Sequence, residues 1–542
     1  MSSQFPAATT TALSRLQLIA LITITLTILF SVPERWAFSP DAGVYVGTAA
    51  SLLEEKRYWF NGEPNLLYYP GTSLVIASLM SIVGENFFAL QLLFAFFTGA
   101  AIWLTWAYFR KSDNRWVAFL TPIYVSLNAI LLAQAHSLLS DILFLNVVLL
   151  TMITWRRFIE EENARWYFLC AALVSLAPMF RFHGLFLIAA FGIAVLVYLY
   201  HTNRLFSRYG IKQLAIASVT LIPFALWTIR NYVLHTPETY NMANRFFFGL
   251  SGLSISGPGF GMADWIDAAW KIPIYQIMYL FGGIGRSFFG SLGQHIPLEA
   301  ATACTLLLLL IGGGAWIRKA SPHEVFSLAF ILIVFAFTSE KFIGNNSLYI
   351  LQRYWLPILP WLAAFLIYGA TTIVDTLSLK PFRKIFGGSF VLLILFSVGG
   401  GVFGLAQLAS AERHSNLHAR WKIIDGVVDY TKKNVPDESR LATTDWGVAP
   451  FLTQRRSYQV LRSSCIRPSL KIIEEKGLTY LVIFPGGMRG DLAREMVRTF
   501  PDLFVPMYET AHGTPSYSGV FRIERGRLSE AIAHTICDWD KD

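Results

Sequence analysis

Long apolar runs are the feature that most limits what this chain can fold into. A run of about 18 or more residues with few charges is long enough to cross the hydrocarbon core of a bilayer. Only 15% of the residues are charged, against about 25% in soluble proteins. The runs lie near 16–32, 87–109, 116–133, 142–155, 166–180, 184–200, 213–229, 298–317, 323–339, 355–373 and 386–408. The sequence therefore predicts a polytopic membrane protein with about eleven transmembrane helices.

The basic residues predict how these helices are oriented. Lys and Arg are enriched in cytoplasmic loops, and they cluster here at 110–115, 156–165, 201–212, 318–319 and 380–384. Placing all five clusters inside puts the N-terminus inside and the C-terminus outside. The run from Gly71 to Val83 is too short for a span, so we interpret it as an interfacial or re-entrant helix. Topology thus accounts for the net charge of +9 without nucleic acid as a partner.

Composition divides the chain near residue 410. Residues 1–410 form the predicted membrane domain, with long outer loops at 33–86 and 230–297, and the composition of 411–542 is that of a soluble domain. That region has helix signals at 417–432 and 491–500 and strand signals at 440–444, 480–484 and 519–523. The predicted fold class is an all-α polytopic membrane domain followed by a small extracytoplasmic α/β domain. Cys465 and Cys537 lie in this second domain and could form a disulfide.

Charged residues near the outer ends of the helices mark a candidate active site, because charge in or beside a membrane is costly. The topology places two carboxylates and four cations on this side: Asp41, Asp141, Arg181, Arg230, Lys341 and Arg353. Cations of this kind can bind the phosphate of a sugar phosphodiester and stabilise the charge of the leaving group. A carboxylate can remove the proton of an acceptor hydroxyl. His136 and Tyr69 are further candidates for substrate contact.

Simpler structural roles are open for the same residues. Asp41 and Asp141 could be helix N-caps, since Asp is favoured there. Arg181, Arg230 and Arg353 could be interfacial anchors, and His136 could be an ordinary loop residue. Basic residues on the outer side run against the usual charge bias, however, and this favours the functional interpretation.

Four passages resemble the multi-pass glycosyltransferases of the GT-C fold. This group includes protein O-mannosyltransferases, the aminoarabinose transferase of lipid A and galacturonosyltransferases of the lipopolysaccharide core. The resemblance covers roughly residues 14–373. Its passages are Asp41-Ala42-Gly43-Val44-Tyr45 with the later Tyr69-Pro70-Gly71, Ser140-Asp141-Ile142-Leu143-Phe144, Trp227-Thr228-Ile229-Arg230-Asn231-Tyr232 and Arg353-Tyr354-Trp355-Leu356-Pro357-Ile358-Leu359-Pro360.

The resemblance implies specific roles. Asp41 would be the catalytic carboxylate and Asp141 the second acidic residue of the site. Arg230 and Arg353 would neutralise the donor phosphate, with Tyr354 beside Arg353, and the Tyr69-Pro70 turn would shape the pocket. The donor would be a polyprenyl-phosphate sugar, transferred with inversion to a glycan, lipid or protein acceptor. Many relatives have a second acid after the first, where this chain has Ala42, so a divalent cation is left open and no metal ligand is assigned.

Two further questions stay open at this level. A transporter or flippase of a lipid-linked or anionic substrate is the alternative function, although such proteins usually show repeated halves around a midplane site, and no repeat is evident. The predicted location is a bacterial inner membrane, with the active site facing the periplasm. The Asn345-Asn346-Ser347 sequon leaves the endoplasmic reticulum open.

Overall fold

The computed structural model describes the chain in two compact units. It covers residues 7–36, 39–234, 286–287, 295–319, 323–341, 353–376, 380–445, 447–459, 466–485, 488–510 and 517–535. The helical unit comprises 1–32, 69–72 and 92–410, and the sheet unit comprises 33–68, 73–91 and 411–542. Cys465, Cys537 and the 345–347 sequon lie outside the described residues.

Most of the described chain is helical up to residue 410. In chain order the elements are α1 (Ala7–Phe30), α2 (Pro40–Glu54), β1 (Trp59–Phe60), β2 (Glu63–Pro64), α3 (Pro70–Val83), α4 (Phe87–Phe109), α5 (Arg115–Ser126), α6 (Ala129–Gln134), α7 (Ser140–Glu161), α8 (Ala164–Phe180), α9 (Gly184–His201), α10 (Arg208–Val219), α11 (Ile222–Leu234), α12 (Leu298–Lys319), α13 (Glu324–Lys341), a 3-10 turn (Leu356–Ile358), α14 (Leu359–Thr376) and α15 (Lys380–Leu408).

Among the described residues, seven helices or helix pairs are long and apolar enough to cross a membrane, or eight if one bent pair near α15 counts as a span. The other three predicted spans correspond to the shorter apolar helices Ser14–Phe30, Ala164–Phe180 and Glu324–Phe335. The predicted total of about eleven includes them and stays a prediction. α3 is also too short to cross a membrane, at 14 residues.

Burial separates the inner helices of the helical unit from the outer ones. In α7, 67% of the apolar stretch is buried, and in the span Leu356–Thr376 that includes α14 the share is 72%. In the span formed by α10 and α11 it is only 17%. Trp155 of α7 packs edge-on against Phe191 and Phe326, with ring centroids 5.7 and 5.8 Å away. α7 and α14 therefore form the centre of this unit, and both begin next to candidate site residues.

Glycines allow α12 and α14 to approach closely. A Cβ added at Gly312 would lie 1.9 Å from the carbonyl oxygen of Phe365, and one at Gly369 would lie 2.2 Å from that of Leu308. Small residues at helix contacts let backbones come together in this way. This contact fixes α14, whose N-terminal end follows Arg353 and Tyr354.

The sheet unit contains a five-stranded mixed sheet with the strand order β4-β3-β5-β7-β6. Its elements after residue 410 are α16 (Ala411–Asn434), β3 (Arg440–Thr443), α17 (Ala449–Thr453), β4 (Arg456–Gln459), α18 (Arg467–Glu475), β5 (Tyr480–Ile483), α19 (Met488–Thr499), β6 (Phe504–Thr510), β7 (Ser518–Ile523) and α20 (Leu528–His534). β3 is parallel to β4 and β5, and β7 is antiparallel to β5 and β6. The sequence signals did not predict β4 and β6.

Most of the first predicted outer loop, 33–68 and 73–86, belongs to the sheet unit, whereas 69–72 belong to the helical unit. Asn61 exchanges two hydrogen bonds with the backbone of Ser457, at 2.9 and 2.8 Å. The Trp421 indole donates to the carbonyl of Trp36 at 2.7 Å. The predicted division at residue 410 missed this packing. The contacts join segments almost four hundred residues apart in the sequence, so no local pattern reveals them.

Candidate active site

Asp141 is the centre of a buried charge cluster in the helical unit. It is the second residue of α7, and its side chain is 0% exposed. One carboxylate oxygen, Oδ1, pairs with Arg181 Nη1. Arg353 donates from Nη2 to Oδ2 at 3.1 Å and from Nε to Oδ1 at 3.4 Å. A buried carboxylate needs such partners, because removing it from water is costly unless it is paired and hydrogen-bonded.

Local sequence explains the position of Arg181. α8 ends at Phe180, shortly after Pro178, and Arg181 takes an extended conformation there. α9 begins only three residues later, at Gly184. A Cβ at Gly184 would lie 2.2 Å from the backbone nitrogen of Pro178. The tight connection therefore requires glycine, and it holds the backbone of Arg181 between two packed helices.

Two aromatic side chains complete the cluster. The Arg181 guanidinium lies 5.3 Å from the ring centroid of Tyr354. His183 stacks on the same ring, with a centroid distance of 5.3 Å and an interplanar angle of 26°. The sequence predicted Tyr354 but missed His183, which is only 4% exposed. The sequence signal that could have identified His183 is its position two residues after Arg181, in the short connection between α8 and α9.

The charges of this cluster suit an anion. Two guanidinium groups and one carboxylate give the three side chains a net charge of +1. The side chains of Arg181 and Arg353 are 8% and 15% exposed, so bulk water screens them poorly. Arginine can bind phosphate oxygens through two parallel donors. The cluster Asp141–Arg181–Arg353 can therefore hold a phosphate group.

The Tyr69 turn lies beside the same connection. Tyr69 is buried at 4% exposure, and residues 69–72 belong to the helical unit. A Cβ at Gly71 would lie 2.8 Å from the carbonyl oxygen of Met179 and 2.9 Å from the Phe180 ring. The turn thus contacts the last residues of α8, immediately before Arg181.

Other predicted residues have different surroundings. His136 is buried, and its Nε2 lies 2.9 Å from the carbonyl oxygen of Ile28 and 3.4 Å from Ser31 Oγ, at the end of α1. Arg230 contacts Trp227 and Asn231, both in its own helix, α11. Lys341 is the last residue of α13, and its side chain lies outside the described part of the structure.

Asp41 is the second residue of α2, in the sheet unit. Ser39 is the N-cap, and its hydroxyl accepts from the Ala42 N–H at 3.3 Å. The Asp41 carboxylate instead accepts a hydrogen bond from the Tyr68 hydroxyl, 2.8 Å from Oδ1. A helix N-terminus also favours negative charge. The sequence prediction missed Tyr68 and selected its neighbour Tyr69.

These contacts overturn the simpler interpretations of four residues. Asp41 is not the cap of its helix, because Ser39 is. Asp141 is not a cap either, since Leu139 occupies that position without a side-chain hydrogen bond. Arg181 and Arg353 are not interfacial anchors, because both are paired with a fully buried carboxylate.

Among the residues that the structure describes, no group of three or more His, Cys, Asp or Glu side chains could hold a metal ion. The sequence left a divalent cation open, and an assay with EDTA addresses it directly.

The family described as dolichyl-phosphate-mannose-protein mannosyltransferase matches residues 64–227. No curated protein sequence matches the chain. ArnT from Cupriavidus metallidurans, in a crystal structure with bound undecaprenyl phosphate, shares 13% identity with a TM-score of 0.55, over 93% of this chain and 97% of that one. Archaeal oligosaccharyltransferase AglB from Archaeoglobus fulgidus, in complex with an inhibitory peptide and a dolichol-phosphate, shares 12% identity with a TM-score of 0.50, over 86% of this chain and 69% of that one.

The chain has the GT-C fold. The resemblance drawn from four short passages is thereby confirmed, since ArnT and AglB are GT-C glycosyltransferases. The likeness to ArnT covers nearly the whole of both chains, whereas the sequence resemblance covered roughly residues 14–373. At these identities the comparison establishes the GT-C fold alone. The reaction has to be inferred from the residues of the site.

Proposed function

We propose that this chain is a glycosyltransferase that moves a sugar from a polyprenyl-phosphate donor to a hydroxyl group of an acceptor. The observation that carries the proposal is the buried Asp141–Arg181–Arg353 cluster within a GT-C fold. A lipid-phosphate donor needs cations that neutralise the phosphate and stabilise the charge that develops on it as the sugar leaves. The bound undecaprenyl phosphate of ArnT and the dolichol-phosphate of AglB support a donor of this class.

The structure favours separate roles for the two carboxylates that the sequence selected as catalytic. Both oxygens of Asp141 accept from guanidinium groups, so a proton taken up there would weaken two ion pairs. Asp141 suits the task of orienting Arg181 and Arg353 better than that of a base. The resemblance gives the role of base to Asp41, at the N-terminal turn of α2, and the proposal keeps that role.

The proposed step is a single displacement. The acceptor oxygen attacks the anomeric carbon of the sugar and gives its proton to the Asp41 carboxylate. The bond from that carbon to the phosphate oxygen breaks, and its electron pair leaves with the polyprenyl phosphate. Arg181 and Arg353 stabilise the extra charge on this leaving group. One displacement inverts the anomeric configuration, as the resemblance implied.

We place this reaction on the periplasmic side of a bacterial inner membrane. The proposal rests on the positive clusters at 110–115, 156–165 and 318–319, which the positive-inside rule assigns to the cytoplasm. Arg156 and Asp141 lie near opposite ends of the same helix, α7, so Asp141 belongs near the opposite face. The sugar is a hexose or pentose, and the acceptor is a glycan, lipid or protein.

The first experiment measures transfer from radiolabelled polyprenyl-phosphate sugars to a native membrane extract by the purified protein. Arg353→Met should lower kcat by about 100-fold, since loss of one such donor typically has this effect. Arg353→Lys should recover only part of the rate, because an ammonium group lacks the two parallel donors. EDTA in the wild-type assay tests the requirement for a divalent cation.

Arg204→Met is the matched control, because Arg204 forms an exposed ion pair with Glu162 in the same unit. Its activity should equal that of the wild type. Full activity of folded Arg353→Met would contradict the phosphate-binding role. Absence of transfer from every donor, with a folded wild-type protein, would favour a transporter or flippase.

A further inference from the structure

One face of α2 presents Asp41 together with two other polar residues. Asp41, Tyr45 and Thr48 follow each other at spacings of four and three residues, which places them on the same side of a helix. The segment Asn65–Tyr68 contacts all three positions. The Asn65 amide donates to Thr48 Oγ1 at 2.9 Å, and the Tyr68 ring meets the Tyr45 ring edge-on, 5.2 Å between centroids.

The backbone of Tyr68 is held on both sides. Its N–H donates to Asn65 Oδ1 at 3.2 Å, and its carbonyl accepts from the Tyr58 hydroxyl at 3.0 Å. Asn65 is only 6% exposed, so its bonds to Thr48 and Tyr68 are shielded from competing water. These contacts fix where the Tyr68 hydroxyl lies, 2.8 Å from Asp41 Oδ1.

Close packing restrains the helix itself as well. A Cβ at Gly43 would lie 2.1 Å from the carbonyl oxygen of Gly447, and one at Gly47 would lie 2.9 Å from the Phe60 ring. Gly43 and Gly47 are four residues apart, so they form a second, glycine face of α2. Because α2 cannot shift toward these neighbours, the backbone at Asp41 is fixed. The carboxylate can then change position only by rotation of the side chain.

We infer that Tyr68 is a positioning residue for Asp41: its hydroxyl holds the carboxylate in the single orientation in which it receives the proton of the acceptor. This inference rests on the proposed function, because it assigns Tyr68 a role only through the base. Tyr68 itself does not need to touch the substrate. A hydrogen bond to an ionised group is among the stronger ones in proteins, so its loss should allow the carboxylate to rotate.

The test compares Tyr68→Phe with the wild type in the transfer assay. We expect kcat to fall about 10-fold, with an unchanged KM for the lipid-linked donor. Tyr430→Phe is the control, because Tyr430 is a tyrosine of the same unit that stacks on Tyr508 and loses the same hydroxyl. An unchanged kcat in Tyr68→Phe, or an effect on KM alone, would overturn the inference.

Two tyrosine analogues at position 68 separate positioning from packing. With 4-aminophenylalanine the ring keeps an N–H donor, and kcat should stay within about 2-fold of the wild type. With 4-methylphenylalanine the ring keeps its shape but has no donor, and kcat should fall about 10-fold. Equal activity of the two analogues would show that only packing matters and would refute the inference.

A double-mutant cycle tests whether Tyr68 acts through Asp41. In the Asp41→Asn background, Tyr68→Phe should change the residual rate by less than about 2-fold, because the group it orients is already gone. The same 10-fold loss in both backgrounds would refute the inference. A folded wild-type protein without transfer would refute the proposed function, whereas an active wild type with an unaffected Tyr68→Phe would refute this inference alone.

Discussion

Asp141→Asn should destabilise the helical unit more than an Asp→Asn substitution at an exposed position destabilises the protein. The amide has nearly the size of the carboxylate but no charge, and its NH₂ is a donor where the guanidinium groups need acceptors. Asp141 is 0% exposed, and its partners Arg181 and Arg353 are 8% and 15% exposed. Two poorly solvated cations would therefore lose their shared counter-ion.

The expected magnitude follows from this burial. Removing one partner of a buried ion pair typically lowers stability by about 3–5 kcal/mol. For a large domain this corresponds to roughly 2 °C in Tm per kcal/mol. Asp141→Asn should thus lower the apparent Tm by about 6–10 °C, measured by tryptophan fluorescence in detergent. Asp502→Asn, in an exposed pair with Arg527, should change stability by less than about 1 kcal/mol.

A compensated variant separates stability from function. Replacing all three charges, as in Asp141→Leu with Arg181→Leu and Arg353→Met, should recover most of the lost Tm, because well-packed apolar groups often replace a buried ion cluster without loss. The same variant should be inactive, since the cations proposed to bind the donor phosphate are gone. Two results would refute the reasoning: an unchanged Tm in Asp141→Asn, or sugar transfer at the wild-type rate by the compensated variant.

Three further predictions concern packing, a helix end and a predicted site residue. Gly312→Val should lower stability by about 1–3 kcal/mol, and with it the apparent Tm, by overpacking the contact of α12 with α14. Gly313→Val should not, because apart from its chain neighbours and the nearby backbone of its own helix no atom lies within 4 Å of a Cβ there. Arg455→Met should destabilise the sheet unit by about 1.5–3 kcal/mol in thermal unfolding, because the buried guanidinium donates to the carbonyls of Val435 and Pro436 after α16. His136→Ala should lower the apparent Tm without changing the KM for the donor.

Each of these has an outcome that would count against it. Equal effects of the two glycine substitutions would show that the contact of α12 with α14 is not tight. An unchanged unfolding temperature in Arg455→Met would mean that water replaces its hydrogen bonds. A rise in KM for His136→Ala would instead support the substrate contact that the sequence predicted.

The sequence was most informative about the membrane helices and about single residues near their ends. Asp41, Asp141, Arg181 and Arg353 could all be selected from charge, position and topology. Their partners could not, because Arg353 lies 212 residues from Asp141 in the chain, and no local pattern encodes such a pairing. Tyr68 and His183 were missed for the same reason, since each is defined by the side chain that it contacts.

By itself the sequence determined where the chain can cross a membrane and which of its charges need an explanation. Hydropathy and charge bias act through the solvent and the bilayer, so they can be read along the chain without knowing any contact. Tertiary structure alone decided that Asp141 pairs with two arginines, that Ser39 rather than Asp41 caps α2, and that most of the first outer loop packs within the sheet unit. These outcomes depend on hydrogen bonds and ion pairs between distant segments, whose directions are fixed only once the chain has packed.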